Sequence, residues 1–232
     1  MKRFIVTGCV RSGTTQFCQT LANQDDINIW HDGGNFEPFS TPSNIYDEIG
    51  WTRHFLGNNK SEFVGFKQFS GDNTSVLEMA SRFNMKMIPV LRKDIISVYL
   101  SFAIYQTKVS LNELTDHGSL NMGYDYETIL REVGGLRRLR RNAFFILKQY
   151  FLWENTESYQ KVYFDDMIEG KEYPKLNEFF NRKIKFSLDG YKPMSYDNYS
   201  NDWEKLIEPL MLALYEAKKS GLFPDYINKI DI

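Results

Sequence analysis

The strongest constraint on the fold lies near the start of the chain, where the apolar run Phe4-Ile5-Val6 leads into Gly8-Cys9-Val10-Arg11-Ser12-Gly13-Thr14-Thr15 and then into a helical pattern. A buried strand that turns through a glycine-bounded loop into a helix presents backbone N–H groups and a helix N-terminus to an anion. In nucleotide triphosphatases the spacing is G-x4-G-K-[ST], with the lysine on the outer phosphates and the hydroxyl on magnesium. Here the lysine position holds Thr14, and the nearest cation, Arg11, sits inside the loop. The loop is therefore read as one that holds a phosphate without a metal.

Downstream, strands and helices alternate as they do in a parallel sheet covered by helices on both faces. Strands are predicted over residues 3–8, 27–30, 63–67 and 85–91, with a late one inside 161–167 that turns into a helix. Helices are predicted over 13–23, 43–56, 73–83, 94–106, 126–153 and 202–220. Gly134-Gly135 marks where the long helix kinks or splits, since glycine costs up to about 1 kcal/mol in a helix interior. The run 107–124 has little periodicity and the length of a lid or substrate-binding segment. The expected class is α/β, a parallel central sheet in a three-layer sandwich. The 232 residues are long for one domain but within range for such folds, so a single domain over 1–232 is expected.

Composition narrows the function classes. A hydrophobic content of 42% excludes a disordered chain, and a net charge of −2 argues against a broad nucleic-acid surface. Cys9 and Cys18 are the only cysteines, with no histidine cluster beside them, and read as packing residues in a reducing compartment rather than a disulfide or zinc site. The first strand begins at once, leaving no room for a leader or membrane anchor, so a cytoplasmic protein of bacterial or viral origin is expected.

Arg11-Ser12-Gly13-Thr14-Thr15 resembles the first loop of the sulfotransferases that use 3′-phosphoadenosine 5′-phosphosulfate (PAPS), commonly [KR]-S-G-T-[TS] after a buried strand. A second element supports the resemblance. Val90-Leu91-Arg92 ends a strand in arginine, and Ser101 follows at the nine-residue spacing seen in some bacterial carbohydrate sulfotransferases, where these two positions hold the 3′-phosphate. Arginine offers charge-assisted, bidentate contacts to phosphate, and a serine further along the helix closes from the side. Ser97, one turn nearer, is the weaker candidate. The alternative is that Arg92 pairs with a surface carboxylate and Ser101 is an ordinary helix serine.

The resemblance implies a P-loop nucleotide-hydrolase-like fold, PAPS as donor without a metal, and sulfuryl transfer to a hydroxyl or amine of a small-molecule or carbohydrate acceptor. Arg11, Ser12, Gly13, Thr14 and Thr15 would hold the 5′-phosphosulfate, and Arg92 with Ser101 the 3′-phosphate. Glu37, in Asn35-Phe36-Glu37-Pro38-Phe39, resembles the E-P-[FH] element that carries the catalytic glutamate of many carbohydrate sulfotransferases. Pro38 biases it toward an extended conformation. An exposed loop glutamate is the other reading, and His31 and His54 are rival bases. Phenol and steroid sulfotransferases carry K-[ST]-H on the strand that here ends Lys67-Gln68-Phe69, without a histidine, which favours glutamate. Lys67 matches that strand-end lysine and would neutralise the leaving phosphate; a surface ion pair would look the same in sequence.

Some features depart from the family or stand outside it. The C-terminal R-K-G clamp is missing, Lys192 being the nearest cation, which points to the bacterial or carbohydrate branch. Lys161-Val162-Tyr163-Phe164-Asp165-Asp166-Met167 resembles the family's Y-E-D-L element, and its two aspartates read as helix-start charge rather than a metal pair. Arg137-Arg138-Leu139-Arg140-Arg141 is either a solvated helix face or a reach toward an anionic substrate. Two other functions stay open: a small-molecule kinase using ATP and magnesium on the same loop, and a nucleotide-binding relative without catalysis.

Overall fold

The structure, a computed structural model, describes residues 1–30, 56–57, 60–68, 74–112, 124–184, 186 and 200–221. Among these residues five strands form one all-parallel sheet: β1 (Lys2–Gly8), β2 (Ile27–Trp30), β3 (Phe63–Lys67), β4 (Lys86–Leu91) and β5 (Val162–Tyr163), in the order β2-β3-β1-β4-β5. The helices are α1 (Thr14–Ala22), α2 (Thr74–Arg82), α3 (Ile95–Ser110), α4 (Tyr126–Val133), α5 (Leu136–Asn155), α6 (Phe164–Ile168), α7 (Pro174–Phe179) and α8 (Trp203–Lys219). The α/β class read from the sequence is what the chain adopts: a parallel sheet flanked by helices.

The chain divides into two compact units, one of residues 1–93 with 152–189 and the other of 94–151 with 190–232. The first holds the whole sheet. Its central strands are buried on both faces and read as continuous apolar runs, as strands covered by helices do. Gly65 of β3 lies opposite Phe4 of β1, and a Cβ there would come within 2.5 Å of the Phe4 ring. The glycine thus makes room for an aromatic cluster. Phe4 meets Phe180 edge-on at 5.3 Å between ring centres, and Phe63 and Phe179 complete the group. Burying each such ring contributes about 1.5–3 kcal/mol. Lys2 closes the cluster at its rim, donating from Nζ to the Phe179 carbonyl at 2.8 Å while lying over the Phe63 ring.

The second unit is helical. α3 buries Ile95, Val98, Tyr99, Leu100, Ala103 and Ile104, which occupy most of its circumference, the pattern of a helix enclosed by others. Asp94 starts it by accepting the Ser97 N–H at 3.0 Å. The helix runs on to Ser110, past the residue-106 end expected from sequence, because Thr107 is buried and donates its hydroxyl to the Ala103 carbonyl at 3.0 Å. The single helix expected over 126–153 is split. Gly134 and Gly135 take left-handed φ angles of 95° and 89°, and their N–H groups bond back to the Arg131 and Leu130 carbonyls, closing α4 before α5 begins. Among the described residues no helix is long and apolar enough to cross a membrane.

Candidate functional site

Parallel pairing brings the carboxyl ends of β3, β1 and β4 to one edge of the sheet: Val6 pairs with Lys67 and Gly8 with Val90. The chain places β3 and β2 on one side of β1 and β4 on the other, and open α/β sheets bind ligands outside such a reversal of strand order. The Gly8-to-Thr15 loop leaves the sheet here.

Two contacts fix that loop. The Ser12 hydroxyl is fully buried, 2.6 Å from the Cys9 carbonyl and 2.7 Å from the Val90 carbonyl, so it ties the loop to the end of β4. Its hydroxyl has a structural task. Gly13 takes a φ of +87°, and a Cβ there would lie 2.2 Å from the ring of Phe164, the first residue of α6. Glycine is required twice over, by backbone and by space.

From Gly13 the chain enters α1 with no side-chain cap and no acidic residue in the first turn. The first N–H groups of a helix have no intrahelical partner, and its dipole is positive at this end. Arg11 stands in the loop with a left-handed φ of 60°, costing about 1–2 kcal/mol for a residue with a Cβ. Lys67, 4% exposed at the end of β3, donates from Nζ to Thr15 Oγ1 at 3.0 Å. The structure thus brings Lys67 to the hydroxyl of Thr15 at the uncapped start of α1. Cys9 and Cys18 beside it are buried and not joined in a disulfide, and burial pushes the Cys9 thiol well above its ordinary value.

A second basic group surrounds the end of β4. Arg92 is buried, with its guanidinium over the Phe164 ring at 5.9 Å and Nε 3.8 Å from Asp165. Asp165 also accepts the Lys93 backbone N–H at 2.6 Å. Asp166 accepts from Lys93 Nζ at 2.8 Å and Lys171 Nζ at 2.6 Å. Desolvation works to raise the Asp166 pKa, but the hydrogen bonds and charges of Lys171 and Lys93 outweigh it and hold the carboxyl below its usual value. The aspartate pair is engaged with the basic residues that follow β4.

The predicted residues therefore fall into three groups. Arg11, Ser12, Gly13, Thr14, Thr15 and Lys67 gather at the ends of β1 and β3. Arg92 lies at the end of β4 in the same unit, separated from Gly13 by the Phe164 ring that touches both. Ser101 is buried on α3 of the helical unit, and the Ser97 hydroxyl is held by Asp94 at 2.5 Å. Glu37, His31, His54 and Lys192 lie outside the described residues. Sequence reasoning missed Phe164 and the role of Asp165; the only signal was an aromatic directly after a late strand.

Comparison with known proteins finds no family model that matches the chain and no curated protein similar to it in sequence.

Proposed function

We propose that the protein is a PAPS-dependent sulfotransferase, and the observation that carries this reading is Lys67 Nζ on Thr15 Oγ1 at the uncapped start of α1. A lysine delivered from the neighbouring strand puts a positive charge at the loop although Thr14 supplies none. In the transfer, the bond from sulfur to the donor's bridging oxygen breaks, a bond from sulfur to the acceptor oxygen or nitrogen forms, and the acceptor proton passes to a base. The bridging oxygen leaves with the phosphate and gains negative charge, which Lys67 would meet. Arg11, Thr14, Thr15 and the helix start would hold the 5′-phosphosulfate, with Ser12 and Gly13 shaping the loop that presents them. Arg92 would take the 3′-phosphate, and Glu37 the acceptor proton. The acceptor is a small molecule or carbohydrate, and the reading takes the enzyme as cytoplasmic.

The test is calorimetric titration with adenosine 3′,5′-bisphosphate and, separately, with ATP and magnesium. Metal-independent micromolar binding of the bisphosphate is expected. A preference for ATP with magnesium would overturn the reading in favour of a kinase. Once an acceptor is found, Glu37→Ala is expected to abolish most turnover with donor affinity retained; near-normal turnover would remove Glu37 from the role.

A further inference from the structure

The first turns of α5 carry Arg137, Arg138, Arg140 and Arg141, all exposed, in a chain whose net charge is slightly negative. Arg137, Arg138 and Arg141, together with Gly134, line a cavity of about 200 Å³. Arg141 stands four residues from Arg137 and three from Arg138, so on the helix surface it neighbours both, and the three side chains meet along the first two turns. The fourth side has no side chain, because Gly134 contributes only backbone, its missing Cβ lying 3.9 Å from the Cβ of Arg138.

Among the described residues none of these arginines makes an ion pair. Glu132, the nearest carboxylate along the chain, is held by Arg131 at 2.7 Å and by the Ser110 hydroxyl at 2.9 Å. The arrangement opposes helix stability in two ways: like charges one turn apart repel, and cations sit at the positive end of the helix dipole. An anion in the cavity reverses both effects. At roughly 30 Å³ per water, the space also exceeds what a tetrahedral oxyanion of five heavy atoms needs.

We propose that Gly134, Arg137, Arg138 and Arg141 form a binding site for the phosphate or sulfate ester of a soluble small molecule, one carrying at least two negative charges. Arginine suits this task because its planar fork matches tetrahedral oxyanions and it stays charged at every physiological pH. The site stands on residues of the helical unit and does not depend on the reading of the first loop as a PAPS site.

Inorganic pyrophosphate is the probe, titrated by calorimetry at low salt into the full chain, R11Q, R138Q/R141Q and R140Q. R11Q removes one of the two cations at the first loop, Lys67 being the other, and so tells whether binding tracks that loop; R140Q removes a charge outside the cavity. Binding that persists in R11Q and R140Q but weakens about tenfold or more in R138Q/R141Q is expected, the loss of charge-assisted contacts. That double variant is also expected to melt no lower than the wild-type chain, and to lose the rise in melting temperature that pyrophosphate gives. Equal loss in R140Q, no loss in R138Q/R141Q, or no binding in R11Q would each overturn the proposal. So would retention on phosphatidylserine vesicles without pyrophosphate binding, which would make the patch a membrane-facing one.

Discussion

Gly13→Ala is the most direct test of how the candidate loop is built. The substitution adds one methyl group at a position whose φ is +87° and whose open side is filled by the Phe164 ring. A residue with a Cβ in the left-handed region costs about 1–2 kcal/mol. Forcing a methyl into a closed contact adds about 1–3 kcal/mol, because Phe164 is 3% exposed and cannot swing into solvent. The loss of stability is therefore expected at about 2–5 kcal/mol, a large share of the roughly 5–15 kcal/mol typical of a folded protein. The assay is urea unfolding of Gly13→Ala, Phe164→Leu and the double variant. Leucine gives the methyl room, so in that background Gly13→Ala should cost only the backbone part, about 1–2 kcal/mol. A loss in the wild-type background below about 1 kcal/mol, or the same loss in both, would refute the claim that backbone and ring together demand glycine at this position.

Other expectations follow from the same region. Ser12→Ala removes the donor shared by the Cys9 and Val90 carbonyls and is expected to lower stability by about 1–3 kcal/mol in urea unfolding, the cost of stranding a buried acceptor. Arg92→Ala is expected to weaken adenosine 3′,5′-bisphosphate binding by about 1.5–3 kcal/mol in calorimetry; unchanged affinity would count against its phosphate role. Asp166 has a folded-state pKa below its unfolded value, so its contribution is complete above about pH 4 and is lost as pH falls through the folded pKa. Asp166→Asn should accordingly flatten the decline in stability measured by acid titration below about pH 4, and an unaltered acid profile would contradict the Lys93 and Lys171 contacts.

What could be read from the sequence was local. The strand-loop-helix entry over residues 2–22 was legible because an apolar run, a glycine and a helical period follow one another without interruption. The parallel sheet was legible because such units repeat. The fate of residues 126–153 turned on Gly134-Gly135, where sequence offered both a kink and a split; the back-bonding of the two glycine N–H groups decides for the split. The end of α3 extends past the expected one because Thr107 and Lys108 look polar yet are buried. Within the site, Arg11, Thr15 and Lys67 could be named because they match the first loop and the strand-end lysine of the sulfotransferases that the sequence resembles. Ser12 was expected to face an anion, whereas its hydroxyl points to a carbonyl on a strand far along the chain, a contact that no spacing rule encodes. Phe164 escaped notice for the same reason: its place under Gly13 and Arg92 exists only once β5 has joined β4.

The order of strands in the sheet has a consequence for how the chain is made. β1 pairs on one side with β3 from residue 63 onward and on the other with β4 from residue 86. At synthesis rates of about 5–20 residues per second, roughly 3–12 seconds separate β1 from its first neighbour, and longer from its second. Throughout that interval Phe4, Ile5 and Val6, all fully enclosed at the end, have no strand to lie against. The nascent chain carries the apolar centre of this strand unpaired for longer than most small domains take to fold. A chaperone that holds short apolar stretches on emerging chains therefore has an obvious client in residues 2–8, and expression without one is the condition under which this protein should aggregate first.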